Sequence, residues 1–306
     1  MSNTPFFSII VPTYNRAGLI GQTIDSILQQ TFNSWELLII DDGSTDNTKQ
    51  VVTAYTDPRI KYIYQQNAER SAARNNGIKQ SNGKYICFVD SDDYYLPNRL
   101  QLLYNRIQAL NQPTAFFYTD IAFDKNGVLT NKIAGPCNTP NIHDFISTAV
   151  LGNPQACIHR SILIKHQFNT KFRIGEDMEL WHRIVEEYTP IYLPNQITVI
   201  AGDHDDRSVN EKRNNSFAEH KQTLDFIFAP NHPGHKTSSL IKKQKYSSCY
   251  FGIAKYYIYN HRKAQATYWL LKSVFIQPNH PQTKYKLNIL LNVFTSPAKA
   301  EQLIQQ

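Results

Sequence analysis

The run Tyr85-Ile86-Cys87-Phe88-Val89, followed at once by Asp90-Ser91-Asp92-Asp93, constrains this chain more than any other stretch. Five apolar, β-branched or aromatic residues in a row read as a buried strand. A strand that stops in three carboxylates delivers them to the carboxyl edge of a sheet. That edge is where open α/β sheets bind ligands. Hard oxygen ligands at such an edge suit Mg²⁺ or Mn²⁺ already carrying a diphosphate. Asp and Ser are also turn formers, so an acidic turn without further function is the competing reading of these four residues.

The rest of the first half decides between the two. Phe6–Val11 reads as a strand stopped by Pro12, and Trp35–Ile40 as a second strand ending in Asp41-Asp42-Gly43-Ser44. Ile60–Tyr64, Lys84–Val89 and Ala115–Asp120 read as further strands. Apolar residues at helical spacing predict helices over Ala17–Gln30, Thr45–Tyr55, Ser71–Gln80 and Arg99–Leu110. Asp46 falls early in its helix, where a carboxylate favours the dipole. Strands alternating with helices imply a mostly parallel sheet covered on both faces, a Rossmann-like nucleotide-binding half. Polar clusters follow three of the strands, at Thr13–Arg16, Asp41–Ser44 and Asp90–Asp93. Three such loops on one edge describe a nucleotide crevice.

Beyond about residue 135 the pattern loosens. Gly175 precedes an amphipathic helix over Glu176–Tyr188, and Ile191–Ile200 reads as a strand interrupted by Pro194. The last third is basic, aromatic and helical, with a helical hairpin over Tyr250–Ile276. The expected division is a catalytic domain over 1–215 and a helical region over 216–306.

Five motifs in order then resemble family 2 glycosyltransferases of the GT-A fold. They are Ile10-Val-Pro-Thr-Tyr-Asn-Arg16, Ile39-Ile-Asp-Asp-Gly-Ser-Thr-Asp46, Arg70-Ser-Ala-Ala-Arg-Asn-Asn-Gly77, Val89-Asp-Ser-Asp-Asp93 and Gly175-Glu-Asp-Met-Glu-Leu-Trp181. The resemblance covers roughly residues 6–205. It implies a nucleoside diphosphate sugar donor, a UDP-sugar above others, a divalent Mn²⁺ or Mg²⁺, and inversion at the anomeric carbon. A metal on both phosphates neutralises the charge that develops as the diphosphate leaves.

The resemblance also assigns roles. Asp92 is the direct metal ligand, and Asp90 holds the ribose or assists at the metal. Asp93 reads better as a cap on the turn into Tyr94–Pro97. Asp41 resembles the residue that accepts from the uracil N–H. Thr13 and Tyr14 line the base, with Tyr14 offering a stacking face; Pro12 shapes the turn, and Arg16 joins the nucleotide-binding residues. Asp42 joins them, or serves with Gly43 and Ser44 only as a tight turn and helix cap. Arg70 reaches the diphosphate, or Arg74 does so instead. Glu176-Asp177 resembles the family's Glu-Asp pair, with Asp177 as general base and Glu176 as its neighbour or alternate. Adjacent carboxylates raise one another's pKa, which suits a base near neutral pH. Acidic residues also stabilise any helix N-terminus, so capping is the bland alternative. Trp181 packs its helix or stacks on acceptor sugar. His204 is a candidate ligand to metal or diphosphate from a closing loop.

Composition narrows the partners. A formal charge of +7 favours anionic ones, but the chain carries no recognised nucleic-acid motif. No Gly-x-Gly-x-x-Gly follows the first strand, against a dinucleotide-dependent dehydrogenase. Four scattered cysteines without paired spacing read as reduced thiols. No secretory signal is read at the N-terminus, and no stretch nears the ~18 apolar residues of a spanning helix. The expected location is cytoplasmic, either free or peripheral at the inner face of the cytoplasmic membrane, with a glycan or lipid-linked acceptor in surface polysaccharide synthesis. The competing class is a nucleotide-sugar binding module without turnover, which the intact Asp90, Asp92 and Asp177 argue against.

Overall fold

The structure is a computed structural model, and it describes residues 4–202, 215–279 and 281–305. Two compact units divide the chain, Met1–Asp203 and His204–Gln306.

The first unit is a sheet flanked by helices. Its first part alternates β1 (Phe7–Thr13), α1 (Ile20–Leu28), β2 (Trp35–Asp41), α2 (Thr48–Thr53), β3 (Ile60–Tyr64), α3 (Glu69–Gln80) and β4 (Tyr85–Phe88). These four strands pair in parallel in the order β3-β2-β1-β4. The second part adds β5 (Asp93–Tyr95), α4 (Arg99–Ala109), β6 (Phe116–Lys125), β7 (Val128–Lys132), α5 (Ile142–Thr148), β8 (Ala156–His159), α6 (Arg160–Lys165), α7 (Glu176–Ile184) and β9 (Ile191–Gly202). Here the sheet continues β8-β6-β9-β5, with β7 hairpinned onto β6. β8 is antiparallel to both β4 and β6, whereas β9 runs parallel to β6.

Both sheet faces are covered, which explains the unbroken apolar runs. Phe7, Ile9 and Val11 of β1, with Leu37 and Ile39 of β2, face a core that includes Ile20, Ile24, Leu100 and Leu103. Ile10, Leu38 and Ile40 point the other way, into a core shared with Ala73, Ile78, Ile162, Leu180 and Trp181. Period-2 side chains thus find a dry partner on each face.

Proline did not stop the strands where the sequence reading placed the stops. β1 runs through Pro12 to Thr13, with Pro12 opposite Ile40. The Ile10 carbonyl accepts from Val89 on the β4 side, and the Thr13 carbonyl accepts from Asp42 on the β2 side. Backbone groups alternate along a strand, so the missing N–H of Pro12 points to the β4 side. β4 pairing with β1 ends at Ile10–Phe88, so Pro12 lies beyond the last residues paired on that side. Pro194 is tolerated similarly. It sits where the β6–β9 register shifts between Tyr118–Tyr192 and Asp120–Ile197.

The second unit, over its described residues, is helical: α8 (Ser216–Ile227), α9 (Ser239–Tyr259), α10 (Lys263–Ile276), α11 (Thr283–Thr295) and α12 (Pro297–Gln305). The hairpin expected over Tyr250–Ile276 is α9–α10, and α9 begins eleven residues earlier, at Ser239. Phe251, Ala254, Ile258, Ala266, Leu270, Ile289 and Val293 form its core. A buried ammonium crosses that core. Lys286 Nζ donates to Ser247 Oγ at 2.9 Å, and Ser247 Oγ in turn donates to the Ser273 carbonyl at 2.7 Å. Burial pushes the Lys286 pKa down to about 8.

Candidate active site

Parallel pairing brings three strand ends to one edge. Thr13 lies opposite Asp41 in the ladder, and Val89, next after β4, donates its N–H to the Ile10 carbonyl. The loops after these strands are tied together by side chains. Asn15, at φ 51°, accepts the Thr45 N–H on its Oδ1 at 2.8 Å and donates its own N–H to Ser44 Oγ at 2.9 Å. Asp46 precedes α2 instead of lying within its first turn, and it accepts both Thr48 N–H and Ala17 N–H at 3.0 Å. Arg16, half-buried, donates its N–H to Thr48 Oγ1 at 3.0 Å.

Asp41 is buried, with one oxygen accepting the Ser44 N–H at 2.8 Å and the other the Tyr62 hydroxyl at 2.7 Å. Each oxygen keeps a second lone pair for a ligand. Asp42 does a different task from capping α2. Its Oδ1 accepts Gln65 Nε2 at 2.6 Å and Ala68 N–H at 2.9 Å, so it fixes the segment leading into α3. Gly43 makes the turn between them at φ +86°, and a Cβ there would lie 2.9 Å from the Asn67 nitrogen. Thr13 is buried, and its Oγ1 has no partner among the described residues. Buried hydroxyls are rarely left so, and a bound ligand is one way to satisfy it. Tyr14, next to it, is 48% exposed.

The two arginines of α3 separate cleanly. Arg70 is half-buried in the first turn. Arg74 is buried and forms two ion pairs, to Asp90 Oδ1 and to Glu176 Oε1, each at 2.7 Å. By sequence, Arg74 is the alternative to Arg70 for reaching a diphosphate. Instead its guanidinium clamps the post-β4 loop to the start of α7, and it lies over the Phe168 ring at 5.4 Å.

That clamp assembles the acidic site. Asp90 and half-buried Asp92 follow β4, and the Asp93 N–H bonds back to the Asp90 carbonyl at 3.0 Å to close the turn. Asp93 itself does more than cap. It opens β5 opposite Ala201 and accepts the Gly202 N–H on Oδ1 at 3.2 Å. Gly175, at φ +78°, turns the chain into α7, whose first two residues are Glu176 and Asp177. Glu176 is buried with its carboxylate on Arg74. Asp177 is half-buried, and its Oδ1 accepts the Met178 N–H at 2.7 Å. Burial, then the neighbouring Glu176 charge, then Asp90, push the Asp177 carboxyl up to about 7, against the opposing pull of Met178 N–H and Arg74. Gly152 borders this carboxyl, since a Cβ on it would stand 3.8 Å from Asp177 Oδ2.

α7 is held rigidly from behind. Trp181 is buried against Phe116, with centroids 4.7 Å apart, and donates its indole N–H to the Leu151 carbonyl at 3.1 Å. It packs, and offers no face to a sugar. His182 meets His143 of α5 through Nδ1 atoms 2.9 Å apart, so one proton lies between them. Ring planes within 10° and centroids 5.2 Å apart place these rings edge to edge in line. His143 Nε2 continues to Glu186 at 2.7 Å, and His182 Nε2 to Ser147 Oγ at 3.2 Å.

No group of three or more His, Cys, Asp or Glu among the described residues forms a ready metal cage. Asp90 and Asp92 are two hard oxygen donors, with Asp177 near Asp90 and Glu176 paired to Arg74. Such a donor set fits a divalent cation that takes its remaining oxygens from a diphosphate and water. His204 lies outside the described residues.

The chain is similar to known proteins both in sequence and in fold. The family model described as "Glycosyl transferase family 2" matches residues 8–166. The Escherichia coli protein named UDP-Glc:alpha-D-GlcNAc-diphosphoundecaprenol beta-1,3-glucosyltransferase WfgD is 32% identical over 181 residues, 59% of this chain and 70% of that one. The crystal structure of Staphylococcus aureus TarS 1-349 in complex with UDP-GlcNAc superposes with a TM-score of 0.61 at 17% identity, over 90% of this chain and 93% of that one. The mannosyltransferase PcManGT from Pyrobaculum calidifontis, in complex with GDP-Man and Mn²⁺, superposes with a TM-score of 0.59 at 18% identity, over 99% and 88%. The fold is GT-A, and the chain belongs to glycosyl transferase family 2 and is a glycosyltransferase.

Proposed function

We propose that this transferase is inverting and metal-dependent, and moves a sugar from a UDP-sugar to a lipid-linked glycan in surface polysaccharide synthesis. One observation carries the reading. Arg74 ties Asp90 to Glu176, and so sets a carboxyl raised to about 7, Asp177, beside the strand-terminal Asp-Ser-Asp. A general base is most effective with a pKa near the working pH.

In this reading Asp177 takes the proton of the acceptor hydroxyl while that oxygen bonds to the anomeric carbon. The bond from that carbon to the diphosphate oxygen breaks on the opposite face, and its electron pair leaves on UDP. The carbon inverts. Glu176 is the weaker candidate for the base, because Arg74 already holds its carboxylate. Asp92 and Asp90 would hold Mn²⁺ or Mg²⁺, which supplies charge neutralisation to the leaving diphosphate. Arg70, in the first turn of α3, adds a positive charge for the same phosphates. Asp41 accepts from the base, Thr13 Oγ1 gains the partner it lacks, and exposed Tyr14 stacks. Pro12 and Arg16 shape that loop, while Asp42 acts from behind through Gln65 and Ala68.

Support for the donor and acceptor comes from the relatives' names. TarS is seen with UDP-GlcNAc, PcManGT with Mn²⁺, and WfgD acts on a diphosphoundecaprenol acceptor. A lipid-linked acceptor places the enzyme at the inner face of the cytoplasmic membrane. The test is turnover of a panel of UDP-sugars with Mn²⁺ and a polyprenyl-diphosphate glycan, with the product anomer read by NMR. Release of UDP from none of them, or product with retained configuration, would sink the proposal.

A further inference from the structure

The helical unit carries a charge that the catalytic unit does not. Residues 215–306 hold 12 Lys and Arg but only three acids, Glu219, Asp225 and Glu301, a net +9. Residues 1–214 hold 20 and 22, a net −2. The whole positive balance of the chain thus resides in its last third.

The same unit leaves apolar side chains in water. On α11, Leu287, Leu291 and Phe294 recur at spacings of four and three, which sets them on one helix face. They are exposed, Leu291 by 71% and Phe294 by 58%. Exposed Lys284 starts the same stripe, three residues before Leu287. α10 repeats the pattern with Tyr268, Lys272 and Phe275, the last 75% exposed. Lys272 Nζ sits 4.6 Å over the Tyr268 ring and 5.2 Å over Trp269. α10 and α11 share one core through Leu270, Ile289 and Val293, so both stripes stand on a single packed body.

We propose that the outer stripes of α10 and α11 are a docking surface for an anionic lipid bilayer. Phe275, Leu291 and Phe294 enter the headgroup–acyl boundary, and Tyr268 and Trp269 sit at headgroup level, where amphipathic rings are favoured. The lysines meet lipid phosphates. Among the described residues no helix is long and apolar enough to cross a membrane, so the contact is interfacial. A second copy of this chain is the poorer occupant, because it would bring one +9 unit against another. A nucleic acid would satisfy the charge and leave the exposed phenylalanines unexplained.

This deepens the membrane placement above. Its test uses the full chain without donor or acceptor, so its failure leaves the transferase reading untouched. Co-sedimentation with phosphatidylcholine vesicles, and with the same vesicles holding a third phosphatidylglycerol, should show at least ~10-fold tighter partition onto the anionic ones. Near 1 M NaCl, where the Debye length falls to ~3 Å, that preference should collapse. The double variant Leu291→Ser, Phe294→Ser keeps every charge and removes apolar contact. It should lose ~10-fold in vesicle binding, with circular dichroism and Mn²⁺-dependent UDP binding unchanged. Phe275→Ser on the other helix repeats the test should that variant misfold. Equal binding to both vesicles, undiminished binding by the serine variants, or a dimer that these variants convert to monomer would overturn the inference.

Discussion

Replacing Asp177 with Asn should make the protein more stable and nearly inactive, and both effects follow from one cause. The carboxyl sits at about 7 because burial and the Glu176 charge disfavour its anion. An unfolded Asp titrates near 3.9, so the shift is ~3 units, or ~4 kcal/mol at 1.36 kcal/mol per unit. The side chain is only half-buried, and water screens part of this, which brings the expected gain to ~2 kcal/mol. Asn retains an oxygen for the Met178 N–H, so the native contact survives. The sign is set by linkage. Below pH ~4 the acid is protonated in both states, and parent and variant should match. From 4 to 7 the unfolded parent ionises first and its native state loses ground; above 7 the full difference holds. For a unit of about 200 residues, ~2 kcal/mol is a rise of roughly 4–8 °C in Tm. Melting curves at pH 4, 6 and 8 measure it, beside a pH–rate profile. The parent profile should rise with a pKa near 7, and the variant should lose that limb along with at least ~10²-fold in kcat. A variant no more stable than the parent at pH 8 would refute the electrostatic argument. Unchanged turnover would pass the base role to Glu176 or remove it from α7 altogether.

The remaining predictions concern other charged groups. Asp92→Ala should abolish the Mn²⁺-dependent part of UDP binding in calorimetry while leaving the melting curve in place; unchanged metal-dependent binding would remove Asp92 from the metal. Arg74→Ala strands Asp90 and buried Glu176 without their cation, and urea denaturation should show a loss of ~3–5 kcal/mol. A loss under ~1 kcal/mol would mean that the clamp is incidental. Lys286→Met should stabilise the helical unit at pH 7 by ~1–3 kcal/mol, because a folded pKa of about 8 against ~10.4 unfolded penalises the charged form. That advantage should be constant below pH 8 and shrink between 8 and ~10, as the native Lys286 sheds its proton first.

What the chain revealed before folding, and what it hid, divides along sequence distance. Asp41, Asp90 and Asp92 were legible because a buried strand announces itself by composition and its end by the first polar residues. The parallel register then puts those ends on one edge without further information. Arg74 was not legible in the same way. Its partners lie 16 and 102 residues away, and i,i+4 spacing from Arg70 suggested a shared phosphate role that burial forbids. The Asp41–Tyr62 bond and the orphaned Thr13 hydroxyl were hidden for the same reason. Proline misled in the opposite direction, because whether its missing N–H matters depends on which neighbour ends first, and that is a property of the sheet. β7, exposed along its whole length, carries no alternation to read, and only pairing with β6 makes it a strand. The candidate base, Asp177, shows why this division has chemical content. Two adjacent carboxylates at a helix start have no intrinsic reason to differ. Arg74, arriving from α3, pairs with Glu176, while Asp177 carries the desolvation and the repulsion of the Glu176 charge, and so one of the two has a pKa near neutrality.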